Sequence, residues 1–144
     1  MKAVIQRVTG ASVTVEKETV SSVEHGLLVY LGITSSDTDQ DAAKMVDKIV
    51  HLRIFDDENG VPNRSVLDVN GQVMLVSQFT LYADASHGRR PSYIKAAPSE
   101  TAEPLYLFTL NELRRHVPTE CGVFGAHMEI SSVNDGPFTI LLEI

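Results

Sequence analysis

Apolar residues along this chain recur with two different periods, and the elements change where the period changes. Val4 to Val8 and Val13-Thr14-Val15 have the short β-branched runs of strands, and Thr9-Gly10-Ala11-Ser12 between them reads as a turn. Thr19 to Val23 predicts the next strand. Gly26-Leu27-Leu28-Val29-Tyr30-Leu31-Gly32-Ile33 is an unbroken apolar run bounded by glycine, which predicts a strand buried on both faces. From Asp37 to His51 the spacing becomes helical. Ala42, Ala43, Val46, Ile49 and Val50 share one face, and Lys44, Asp47 and Lys48 fall outside it. Asp37 is the expected cap, with Gln40 as its capping-box partner.

Arg53-Ile54-Phe55 and the region around Val66 predict short strands. Asp56-Asp57-Glu58-Asn59-Gly60 lies between them. It is acidic, but it lacks the spaced ligands and distant Glu of a calcium loop, and Asn-Gly favours positive φ, so it reads as a turn. Gln72 to Phe79 predicts a strand introduced by Asn70-Gly71. A second helix is expected from Thr101 to Val117, with Thr101 as cap, Pro104 in the first turn, and Leu105, Phe108 and Leu113 inward. His127 to Val133 and Phe138 to Ile144 predict two last strands, separated by the turn signal Asn134-Asp135-Gly136-Pro137. The order predicts an α+β fold with a curved, largely antiparallel, barrel-like sheet and two main helices. No repeat, low-complexity tract or linker interrupts the sequence, so residues 1–144 read as one domain.

Composition narrows the setting. No apolar stretch approaches the ~18 residues that cross a bilayer, and polar residues interrupt the N-terminus too early for a signal peptide. The single cysteine, Cys121, cannot form an intrachain disulfide. A cytoplasmic protein is expected. A net charge of −7 argues against coating nucleic acid by counterion release, but not against gripping a short nucleic-acid end with a local patch. His87-Gly88-Arg89-Arg90-Pro91-Ser92-Tyr93-Ile94-Lys95 is one such patch, combining permanent cations, an aromatic ring and a Gly-Pro framework. Taken alone, it reads as a solvated loop.

The usual sources of chemistry are missing from the sequence. His25, His51, His87, His116 and His127 form no HxH or HExxH pattern, and one cysteine gives no CxxC, so no metal is expected. There is no GxxxxGK[ST] and no GxGxxG, so no nucleotide cofactor is expected. Thr80 and Ser77 end a strand with His87 seven residues from Thr80, but a hydroxyl nucleophile needs an oriented base within ~3 Å. No GxSxG elbow is present, and Thr80 reads first as a polar strand end. Two segments remain: Ser77-Gln78-Phe79-Thr80 and Asn134-Asp135-Gly136-Pro137-Phe138-Thr139. Each alone is a strand end or a turn. A Gly-Pro unit has no side chain before it and no N–H after it, so its carbonyls can face open space. Such a corner beside amide and hydroxyl groups can recognise by shape and exclude by collision.

These segments, together with Arg89-Arg90-Pro91-Ser92, carry a family resemblance that runs over essentially the whole chain. Ile5-Gln6-Arg7-Val8, Ala11-Ser12-Val13-Thr14-Val15, Gly26-Leu27-Leu28 and Arg53-Ile54-Phe55 take part in it. Val76-Ser77-Gln78-Phe79-Thr80-Leu81 matches an SQFTL motif, and Val133-Asn134-Asp135-Gly136-Pro137 matches a closing NxGP motif. The chain resembles the D-aminoacyl-tRNA deacylases. That resemblance implies a homodimer with two sites at the subunit interface, the aminoacyl-tRNA 3′ end as partner, no cofactor, and hydrolysis of the ester joining a D-amino acid to tRNA. It implies a cis Gly136-Pro137 bond whose carbonyls, entering the other subunit's site, occupy the space of an L side chain. Glycine, having no side chain, would escape that rejection. Arg7 is implied as support for the corner. Ser77, Gln78, Phe79 and Thr80 are implied to line the aminoacyl and ribose pocket, with Gln78 and Thr80 as the catalytic candidates, and Phe124 to contact the terminal adenine. Attack is implied to be assisted by the tRNA 2′-OH, with Thr80 as nucleophile the alternative and a non-catalytic tRNA-end binding module a further one. The family usually has Val where this chain has Phe138, and Phe where it has Tyr93.

Overall fold

The computed structural model describes residues 1–144. The first strand, β1, runs unbroken from Lys2 to Val15, so the turn expected at Thr9–Ser12 is absent. Glu16 and Lys17 adopt left-handed φ values of 50° and 69° and reverse the chain into β2, Glu18–Val23. β3, Gly26–Gly32, continues along the same side of β1, pairing Lys2 with Gly32 through Val8 with Gly26. The last strand, β8, Glu129–Glu143, pairs antiparallel with the opposite side of β1 over almost its whole length. Beyond β3 the sheet continues in parallel fashion through β6, Gln72–Ser77, and β7, Thr119–Cys121. The sheet is largely antiparallel and nearly closed: the Ser21 hydroxyl of β2 donates to the Cys121 carbonyl of β7 at 2.8 Å. A small hairpin, β4 (Phe55–Asp56) with β5 (Pro62–Arg64), stands apart. Val66, expected in a strand, instead lies buried in the turn that follows.

The unbroken apolar run of β3 is buried on both faces, as its sequence predicts. Leu27, Val29 and Leu31, with Val73 and Leu75 of β6, face the larger core beneath the two helices. Leu28, with Met74 and Val76, faces a smaller core closed by Val8, Val13 and Val23. The helices α1, Asp39–His51, and α2, Ser99–Arg114, bring Met45, Val46, Ile49, Leu105, Tyr106 and Leu113 onto the larger core.

The helix starts differ from the sequence expectation. Thr38 caps α1, and its box partner is Asp41, not Gln40. Asp37 is engaged elsewhere: it takes the N-terminal amino group of Met1 at 2.7 Å and the Thr34 N–H at 2.8 Å. α2 starts at Ser99 behind Pro98 with no side-chain cap, so Thr101 lies within the first turn and Pro104 one turn further in. There Pro104 removes the N–H that would otherwise reach the Glu100 carbonyl. The acidic segment is the expected turn: Asp57 accepts the Asn59 and Val61 N–H groups at 2.9 and 3.1 Å, and Gly60 has φ 71°. These bonds to its charged form hold the Asp57 carboxyl below its usual range.

Candidate active site

β6 stops at Ser77, two residues before the expected end. The Gln78 N–H makes a last bond to the Leu31 carbonyl at 2.8 Å, and Phe79–Tyr82 then form a short 3-10 turn. Gly32 lets this turn lie close to β3. A Cβ there would stand 3.0 Å from Leu81 Cβ and 3.1 Å from the Gln78 carbonyl oxygen. No side chain caps the turn, so the Phe79 and Thr80 N–H groups open it as orphan donors. Thr80 is exposed, and its hydroxyl accepts from the Gln78 side-chain amide at 2.6 Å. No histidine or carboxylate hydrogen-bonds to it, and an amide cannot take its proton.

The strand end forms one wall of a cavity of about 600 Å³. Ser77, Gln78 and Phe79 line it together with Phe124, and Thr80 stands just beyond its lining. Tyr93, Ala96–Ser99 and Ala102, from the segment leading into α2, also line it, with His127, Met128 and Ile130 from the start of β8 and the turn before it. Phe79 and Tyr93 meet edge to face, ring centres 5.1 Å apart. Phe124 leans on Tyr106 at 5.5 Å, and the Tyr106 hydroxyl donates to the Leu75 carbonyl at 2.9 Å. The cavity is thus largely apolar, with the Ser77 hydroxyl, the Gln78 amide and the His127 imidazole among its lining groups. Sequence reasoning found Ser77, Gln78, Phe79 and Phe124 but assigned to the cavity neither Tyr93, the aromatic ring of the basic segment, nor the Ala96-Ala97-Pro98 wall that follows it.

The Gly-Pro corner is a bulge in β8, not a turn between two strands. β1 pairs Gln6 with Thr139 and then Val8 with Asn134, so Asp135 to Phe138 loop out opposite Arg7. Asn134 ties the ends of the loop: its side-chain oxygen accepts from the Phe138 N–H at 2.9 Å, and its amide donates to the Thr139 hydroxyl at 3.0 Å. Gly136 has φ 127°, the Gly136–Pro137 bond is cis, and both residues are exposed. Arg7, only 7% exposed, underlies the loop. Its Nη1 donates to the Ile54 carbonyl at 2.7 Å and contacts Asp56 at 3.3 Å. Its Nε donates to the Asp135 carbonyl at 3.3 Å and lies 3.2 Å from the Asp135 carboxylate. Within the chain Arg7, Gly136 and Pro137 do not line the cavity, so the two segments singled out from the sequence form separate features. No cluster of three or more His, Cys, Asp or Glu side chains with metal-binding geometry occurs.

Residues 4–143 match the family model described as D-Tyr-tRNA(Tyr) deacylase. The chain belongs to that family. A D-aminoacyl-tRNA deacylase of Thermosipho africanus is 52% identical over 99% of this chain and 97% of its own length. Its counterpart in Halalkalibacterium halodurans is 52% identical over 99% of both. Among solved structures, one described as the c-Myc DNA Unwinding Element Binding Protein superposes with a TM-score of 0.95 at 44% identity, covering 100% of this chain and 99% of that one. A structure described as a probable eukaryotic D-amino acid tRNA deacylase has a TM-score of 0.88 at 17% identity over 99% of this chain and 98% of its own, which is likeness of fold. Membership makes the chain a D-aminoacyl-tRNA deacylase, a hydrolase of the aminoacyl-tRNA ester bond. Tyr93 packs on Phe79 at the cavity, and the Phe138 ring packs against Arg7 beneath the corner.

Proposed function

We propose that this deacylase binds the 3′ end of D-aminoacyl-tRNA in the Ser77–Phe124 cavity and acts in the cytoplasm as a homodimer with two interfacial sites. Ser77, Gln78, Phe79 and Thr80 hold the aminoacyl group and terminal ribose, and Phe124 contacts the terminal adenine. Water adds to the ester carbonyl, the bond to the ribose oxygen breaks, and free tRNA and the D-amino acid leave. The observation that carries this reading is the uncapped 3-10 turn at the polar side of an apolar cavity, with no protein base at Thr80. The Phe79 and Thr80 N–H groups stabilise the oxyanion, each such donor contributing ~3 kcal/mol. The tRNA 2′-OH assists the attack; His127 lines the cavity but makes no hydrogen bond to Thr80.

Selectivity comes from the Gly136–Pro137 corner of a second copy. The corner is exposed, braced by Arg7 and Asn134, and stands outside its own chain's cavity. β8 pairs only with β1, which leaves its other edge open, and it exposes Val133 and Leu141. A long, partly apolar edge of this kind needs a partner. In a dimer the backbone carbonyls of Gly136 and Pro137 fill the space of an L side chain, while D-aminoacyl and glycyl esters fit. Matched D-, L- and glycyl-tRNA test the reading. D and glycyl esters should be hydrolysed and L spared. Equal rates on D and L would remove the gate, and binding without turnover would leave only a tRNA-end binding module.

A further inference from the structure

The cavity leaves one feature of the basic segment His87–Lys95 without a role, the side chains of Arg89 and Arg90. Every other arginine of the chain has a partner. Arg7 holds Ile54 and Asp135, Arg53 bonds Asn63, Arg64 pairs with Glu58, Arg114 bonds Thr119, and Arg115 pairs with Glu112. Arg89 and Arg90 are exposed and have no ion pair or side-chain hydrogen bond. The nearest carboxylate in sequence, Asp84, is committed to other groups. It accepts the Ser86 N–H and hydroxyl at 3.0 and 2.6 Å and pairs with Lys95 at 3.6 Å.

The loop that presents the two arginines is anchored at its base. Asp84 and Ser92 exchange both backbone hydrogen bonds at 2.8 Å, which pins the ends of the intervening segment. One residue beyond that clamp, Tyr93 lines the cavity and packs on Phe79. Arg90 is therefore three residues from the cavity wall, within ~10 Å of backbone. A net charge of −7 disfavours attraction by the protein as a whole, so the unpaired cations of this loop act locally. Guanidinium groups match phosphate geometry with paired N–H donors.

We infer that Arg89 and Arg90 form a phosphate-binding site that grips the phosphodiester backbone of the tRNA strand whose 3′ end occupies the cavity. This rests on the deacylase reading above and adds a second, electrostatic anchor outside the cavity. The ester is bound by shape within the pouch, and the strand leading to it is bound by charge.

The test is the double substitution Arg89→Gln, Arg90→Gln, with two substrates. D-tyrosyl-tRNA carries the phosphodiesters, and 3′-O-D-tyrosyl-adenosine carries none. The variant should show raised KM with little change in kcat on the tRNA, and wild-type kinetics on the adenosine ester. Binding of uncharged tRNA, followed by fluorescence anisotropy from 50 to 200 mM salt, should lose about 1.5 from its log–log slope. That closes the affinity gap to wild type about tenfold across the range, as two phosphate contacts require. An unchanged slope would overturn the inference, and so would equal loss on both substrates, which would make the loop a support of the cavity wall. If the wild type hydrolyses neither ester, the deacylase reading fails, and the anisotropy slope still decides the arginine pair.

Discussion

The Arg7 guanidinium carbon lies 5.0 Å from the centre of the Phe138 ring, so the residue that braces the Gly136–Pro137 corner is stacked on the residue that follows it. The Phe138 ring is thus taken up by a buried guanidinium. Phe138→Val removes this stacking, worth ~1 kcal/mol at a partly buried site. It leaves the Asn134 and Arg7 bonds to the loop in place. The melting temperature should fall by a few degrees, and the D-to-L rate ratio should stay within about threefold. A tenfold change in that ratio would mean that the ring itself shapes the corner.

Arg7→Lys separates charge from geometry. An ammonium keeps the cation beside Asp56 and Asp135 but cannot reach the Ile54 carbonyl and the Asp135 carbonyl with one rigid fork. Loss of a buried charged hydrogen bond costs ~1.5–3 kcal/mol, measurable by urea denaturation. If the corner gates, hydrolysis of L-aminoacyl-tRNA should rise in this variant while the D rate changes less. Lower stability with unchanged chiral selectivity would confine Arg7 to a structural role.

Thr80→Ala distinguishes the two routes of attack. The hydroxyl's partner is the Gln78 amide, at 2.6 Å, which can orient it but cannot take its proton. The backbone N–H groups of the 3-10 turn remain in the variant. Deacylation should stay within about threefold of wild type in a single-turnover assay. A fall towards the uncatalysed rate would restore Thr80 as nucleophile.

Local signals were legible where local physics decided them. The apolar run of β3 announced burial on both faces, and Leu27 and Leu28 do divide between two cores. The helical spacing of Ala42 to Val50 announced α1, but its cap is one residue later than expected. Asp37 is held by the Met1 amino group, a contact across 36 positions that no local pattern encodes. Turn chemistry misled in one consistent way. Thr9-Gly10 and Asn134–Pro137 are both absorbed into long paired strands, because β1 and β8 tolerate register shifts opposite each other. The candidate features divide along the same line. Ser77–Thr80 and Gly136-Pro137 stood out as short motifs, while Tyr93 and the wall before α2 reach the cavity only through tertiary packing.

Tyr106→Phe tests the floor beneath the cavity. Tyr106 is 2% exposed, and its hydroxyl donates to the Leu75 carbonyl at 2.9 Å. That carbonyl also accepts the Gly122 N–H at 3.1 Å, so the variant does not orphan it and should lose only ~1 kcal/mol. Burial pushes the Tyr106 hydroxyl above its ordinary value of 10.0, with the nearby Cys121 adding to the rise. In the unfolded chain the phenol ionises near the ordinary value, while in the folded chain it stays neutral to higher pH. The stability associated with the neutral form is therefore complete below pH 10 and is lost as pH rises beyond it. Tyr82, raised to about 12 mainly by burial, acts in the same direction. Wild-type melting temperature should thus decline above pH 10, and Tyr106→Phe should decline less steeply from a slightly lower plateau. Parallel declines in the two proteins would show that Tyr106 does not carry this alkaline sensitivity.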